Sequence, residues 1–158
     1  MKYIALSGHR HNLRRYFTPE VTCVDSWKHT PIIPDEPTTL IGFSLGAEHA
    51  LQLASQHPQV QYLYLHSIPF TPVVPPCPLI RFFVTRSDKT PTYQGTFNTY
   101  AHLLAHDYIG DVTLTTLSIF NHEPIRNLAT FLMWLTHHQF HNCLRYLPRH
   151  IVNPDYLP

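Results

Sequence analysis

The chain is expected to fold as an α/β protein: a single doubly wound, mostly parallel sheet of six strands. Three observations predict this. Short apolar runs alternate with helical patterns, the signature of strands joined by crossover helices. The 15 prolines fall between these runs and not inside them. The length and balance suit one domain with a real core: 158 residues, 44% apolar and only 13% charged.

The elements follow in order. Tyr3 to Leu6 is a buried strand, Leu13 to Phe17 a short helix, and Val21 to Val24 a second strand ended by Asp25. Thr39 to Phe43 is a third, apolar enough to be covered on both faces. Leu45 to His57 is the clearest helix: Ala47, Ala50, Leu51 and Ala54 form one apolar stripe, small enough to lie close on a sheet, and Pro58 ends it. Val60 to His66 and Ile80 to Thr85 are the fourth and fifth strands. Thr90-Pro91 reads as a cap and a first-turn proline for a helix ending near His106. Its core face is expected to be Tyr93, Phe97, Tyr100 and Leu104. Val112 to Phe120 is the sixth strand, and a last helix runs from near Glu123 to about His141. The links at residues 31–37 and 69–78 are too rich in proline for a long helix, so they are expected to be extended coverings. Residues 1–158 make one domain, with 148–158 a patternless tail. The expected spatial order of strands is 2-1-3-4-5-6.

Charge excludes one class of function. Eleven basic against 10 acidic residues leave a formal charge of +1, without the basic stripe of a nucleic-acid binder. Cys23, Cys77 and Cys143 are odd in number and widely spaced, which argues against a disulfide framework or a thiolate zinc site. The opening apolar run is too short for a signal-peptide core, and no run approaches the ~18 residues of a membrane span. A cytoplasmic protein is expected.

Glycine is scarce, with 5 in the chain, and two of them bracket a serine: Gly42-Phe43-Ser44-Leu45-Gly46. This GxSxG lies between the third strand and the alanine-striped helix. At that junction a serine on a sharp turn has its hydroxyl lifted above the sheet, and the residues two before and two after it come too close for side chains. At this composition the pattern arises by chance in about 0.7% of chains. The plainer alternative is a tight turn with Ser44 as a helix cap.

A nucleophilic serine needs a base and an acid to orient it, and in a parallel sheet both belong after later strands at the same edge. Arg86-Ser87-Asp88 follows the fifth strand and Asn121-His122 follows the sixth. Asp88 is therefore the candidate acid and His122 the candidate base, with His66 after the fourth strand as the rival base and a capping role as the alternative for Asp88. Asp107 and Asp111 precede the sixth strand and belong at the opposite edge, and Asp25 lies beyond the first strand. The backbone N–H of Leu45 is one candidate oxyanion donor. The second is the N–H of His9, in the loop Ser7-Gly8-His9 after the first strand. Phe70, in the proline-rich link, and Phe43 are candidate substrate contacts.

These residues resemble the α/β-hydrolase superfamily, in Ser7-Gly8-His9, Gly42-Phe43-Ser44-Leu45-Gly46-Ala47, Arg86-Ser87-Asp88-Lys89-Thr90-Pro91 and Asn121-His122-Glu123, over about residues 2 to 140. The likeness is to its short, lidless serine esterases. It implies a minimal hydrolase fold that cleaves a carboxylic ester or thioester through an acyl-serine, with Ser44 as nucleophile, His122 as base and Asp88 as acid. Ser7 stands where relatives often have histidine, and the chain has no room for a cap domain. No cofactor is implied. The partner would be a small molecule or an acylated macromolecule. Acyl transfer on the same triad, or a hydrolase fold that binds without catalysis, are the other readings of the pattern. The pairs His102/His106 and His137/His141 have helical metal-ligand spacing but no third ligand, so no metal site is assigned.

Overall fold

The structure, a computed structural model, describes residues 1–8, 13–15, 17, 19–85 and 91–117, without the side chains of Arg15, Thr85 and Leu117. Six strands form one all-parallel sheet: β1 (Lys2–Ser7), β2 (Val21–Asp25), β3 (Thr38–Phe43), β4 (Val60–His66), β5 (Leu79–Thr85) and β6 (Asp111–Leu117). Their order is β2-β1-β3-β4-β5-β6, as the sequence predicts. Because every pair is parallel, β1, β3, β4, β5 and β6 all end at one edge of the sheet, and Ser44 follows directly from the end of β3. The expected strands differ from these by about one residue at their ends, apart from β6, whose continuation to Phe120 lies outside the described residues. The last helix and the tail also lie outside them.

Alternation sets two faces. On the first, Ile4, Leu6, Leu40, Leu63, Leu65, Ile80 and Phe82 pack with α1 (Leu45–Gln56) and α2 (Pro91–Ala105). On the second, Ala5, Ile41, Tyr64 and Phe83 pack with Leu13 and Phe17, and the short helix expected there is a 3-10 turn over Leu13–Arg15. The stripe of α1 behaves as its spacing requires: Ala47, Ala50, Leu51 and Ala54 are fully buried against β1, β3 and β4. Burying a side chain such as Leu51 is worth about 1.5–3 kcal/mol, so the stripe alone explains why α1 docks beneath the turn that precedes it. No helix among the described residues is long and apolar enough to cross a membrane.

The core face of α2 departs from expectation. Its buried residues are Thr92, Gly95, Thr96, Thr99 and Leu103, whereas Tyr93, Phe97 and Tyr100 are half-buried and Leu104 is exposed. The reason is the proline-rich link from β4 to β5, which lies on the helix. A side chain at Gly95 would stand 2.5 Å from the Phe70 backbone nitrogen. Thr96 Oγ1 donates to the carbonyls of Ile68 and Thr92, Thr99 Oγ1 donates to Gly95 O, and the Thr71 N–H donates to Thr99 Oγ1 at 2.9 Å. Small hydroxyl residues satisfy both the helix and the link in a contact too close for aromatic rings. Of the rings, Tyr93 meets Phe97, and Tyr100 packs from the rim of the core onto Phe82.

Candidate active site

The turn from β3 into α1 has the sharp geometry that the GxSxG pattern demands. Ser44 stands at φ 55°, ψ −124°, outside the main regions open to L-residues. It precedes α1 in the cap position, but its side chain makes no capping bond. The plainer reading of Ser44 as a helix cap therefore fails. The Ser44 carbonyl accepts from Ala47 N–H and Glu48 N–H, which starts the helix, and the Ser44 N–H donates to the carbonyl of His66 at 2.9 Å, which ties the turn to the end of β4.

Both flanking glycines are required by space. A Cβ on Gly42 would collide with Ala47 Cα and stand 2.7 Å from the Gly46 carbonyl oxygen. A Cβ on Gly46 would collide with the carbonyl oxygen of Leu6 and stand 2.8 Å from Ser7 C. All of these are backbone atoms, which cannot move aside as a flexible side chain would. The first turn of α1 thus sits directly on the ends of β1 and β3.

Gly8, the residue after β1, closes on the same point. A Cβ there would lie 3.0 Å from Ser44 Cβ and 3.3 Å from Leu45 N. The structure thereby brings together Ser44, the Leu45 backbone and the start of the loop that carries His9. His9 itself is outside the described residues, as are Asp88 and His122. The strands that lead to the latter two, β5 and β6, end at the same edge as β3. The end of β1 is fixed from the side by Ser7, which is buried: its Oγ donates to Asp25 Oδ1 at 3.0 Å, and Ser26 Oγ donates to the Ser7 carbonyl at 2.8 Å.

Of the two candidate substrate contacts, one is closed off and the other is open. Phe43 is 1% exposed, with its ring tilted against the imidazole of His66 at 5.2 Å, so it forms the floor behind Ser44 and not an open lining. Phe70 is half exposed, and its ring meets His102 edge-on at 6.4 Å on α2. His66, the rival base, is fully buried in the row formed with its strand partners Phe43 and Phe83, and its Nδ1 shares a 2.9 Å hydrogen bond with Ser67 Oγ.

Other chemical groups sit apart from this edge. Asp111 begins β6 at the opposite edge, where Arg81 Nη2 donates to its carboxylate at 2.6 Å and holds its pKa below the ordinary value. Burial pushes the Cys77 thiol up to about 11, which keeps it protonated and a poor nucleophile. A cavity of about 240 Å³ lies beside α1, lined by Ser26, Thr30, Pro31, His49, Gln52 and Gln56, without the residues of the Ser44 turn. His102 and His106 stack at 3.9 Å, and no group of three or more potential metal-ligating side chains occurs among the described residues. No protein-family model matches the chain, and no curated protein matches it.

Proposed function

We propose that this protein is a serine hydrolase of the α/β-hydrolase type, which cleaves a carboxylic ester or thioester in the cytoplasm through an acyl-serine intermediate. The observation that carries this reading is Ser44: a strained serine between strand and helix, its hydroxyl not used as a cap, in a turn whose flanking glycines leave no room for a side chain. In the proposed cycle, His122 takes the Oγ proton as Ser44 attacks the carbonyl carbon. The backbone N–H groups of Leu45 and His9 hold the oxyanion, and Asp88 orients the imidazole. His122 then protonates the departing alcohol or thiol. Water enters by the reverse roles and releases the acid.

The link from β4 to β5 supports an open site. It carries no helix, and Gly95, Thr96 and Thr99 bind it down onto α2, away from any role as a lid. Short acyl groups, on a small molecule or on a larger acylated one, fit such a site better than long buried chains. A fluorophosphonate probe tests the chemistry. The wild type is expected to be labelled at Ser44 and to hydrolyse p-nitrophenyl acetate. Ser44→Ala is expected to lose both activities, and His122→Gln and Asp88→Asn to lose most of the turnover. Turnover retained in folded Ser44→Ala refutes the assignment.

A further inference from the structure

The buried pair His66–Ser67 has no part in the chemistry proposed above, yet it lies against the nucleophile turn. Ser67 is fully buried at φ 51°, a left-handed conformation that ordinarily favours glycine. Its N–H donates to the carbonyl of Phe83 at 2.8 Å, so the strained residue still holds β4 to β5. Its hydroxyl is bound to His66 Nδ1 at 2.9 Å. His66 in turn reaches the turn twice. Its carbonyl accepts the N–H of Ser44 at 2.9 Å, and its imidazole packs on the ring of Phe43, the residue immediately before Ser44.

We propose that Ser67 is a positioning residue, which locks the His66 imidazole and, through His66 and Phe43, holds Ser44 in its strained conformation. The proposal rests on Ser44 being the nucleophile. A non-glycine residue in such a region persists only where its surroundings over-determine it. Here two strained serines follow two neighbouring strands, and one histidine is bonded to both, to Ser67 through its imidazole and to Ser44 through its carbonyl. Loosening that imidazole allows the Phe43–Ser44 backbone to relax toward ordinary dihedrals, which turns Oγ away from its attacking position. His66 and Ser67 are fully buried and do not themselves contact the ester, so the effect falls on kcat and not on KM.

Two variants separate this from a merely structural hydroxyl. Ser67→Gly removes the hydroxyl while relieving the φ strain, and Ser67→Ala removes it while keeping the strain. Loss of one buried hydrogen bond, about 1 kcal/mol, corresponds to about fivefold in rate. Both variants are expected to lower kcat for p-nitrophenyl acetate, and the rate of fluorophosphonate labelling, about fivefold at unchanged KM, even though Ser67→Gly melts no lower than Ser67→Ala. If a folded variant of either kind keeps the wild-type kcat while the wild type is labelled at Ser44, the clamp is refuted and the hydrolase reading stands. If the wild type is not labelled at Ser44, the hydrolase reading falls and the clamp falls with it.

Discussion

Strain at the Ser44 turn is measurable without any substrate, by comparing Ser44→Gly with Ser44→Ala. Both variants lack the hydroxyl, so every interaction that it makes cancels in the comparison. What differs is the backbone. At φ 55°, ψ −124° an alanine keeps the steric conflict of the native serine, which costs about 1–3 kcal/mol for a residue with a Cβ. Glycine removes that conflict but adds about 0.5–1 kcal/mol of unfolded-state entropy to be lost on folding. The balance favours Ser44→Gly by about 1 kcal/mol, with a ceiling near 2.5 kcal/mol. In a chain of this size about 1 kcal/mol appears as a rise of roughly 2–4 °C in Tm. Urea or thermal unfolding followed by circular dichroism reads the difference directly. If Ser44→Gly is less stable than Ser44→Ala, the turn is not strained in solution and the principal support for a nucleophile at position 44 is removed.

Two further outcomes test the turn and the sheet that carries it. Gly46→Ala drives a methyl group into the backbone of Leu6 and Ser7, which cannot yield, and is expected to cost about 3 kcal/mol or more in urea unfolding, along with the proposed esterase activity. Asp111→Asn removes the carboxylate that bridges β5 and β6 through Arg81. Because the folded pKa of Asp111 lies below its unfolded value, the contribution is fully present above about pH 4 and is lost as pH falls through the folded value. The stability gap between wild type and Asp111→Asn is therefore expected to be constant near neutrality and to close in acid, and to narrow with added salt. A gap that widens as pH falls contradicts the bridge.

Much of the fold was legible because its signals are local. Six apolar runs separated by breakers define six strands, and β3, buried along its whole length, had the composition of a central strand. The turn at Ser44 was legible because glycine is scarce in this chain, so two at the right spacing carried weight. What was not legible depends on contacts distant in sequence. The spacing of Tyr93, Phe97 and Tyr100 suggested a core face, but threonine packs better where a link 28 residues back lies on the helix. Gly95 had no explanation until the Phe70 backbone was seen above it. His66 stood at the right edge to be a base, and only its side-chain partners reveal a buried, bonded imidazole. Ser67 offered no signal at all, since a left-handed φ at a serine is invisible in composition or periodicity. Asp88, His122 and His9, the expected acid, base and second oxyanion donor, lie outside the described residues.

The distribution of strain strengthens the case for chemistry at this edge. Among the described residues, three non-glycine residues have positive φ: Ser44, Ser67 and Asp107. Asp107 has an ordinary explanation. It follows α2, where the Tyr108 N–H donates to the Leu103 carbonyl at 3.2 Å, and a left-handed residue just past a helix end is common. The two serines have no such explanation, and they sit side by side at the ends of β3 and β4. Meanwhile none of the five glycines has a positive φ. Gly42, Gly46 and Gly95 are used where the backbone needs room, and serine is used where it needs a left-handed bend, the reverse of the usual economy. A turn that needed only to bend would be more stable with glycine. Keeping hydroxyl groups at both bends, against about 1 kcal/mol or more of strain at each, makes sense where the hydroxyls themselves are used: one on substrate, and one to hold the first in place.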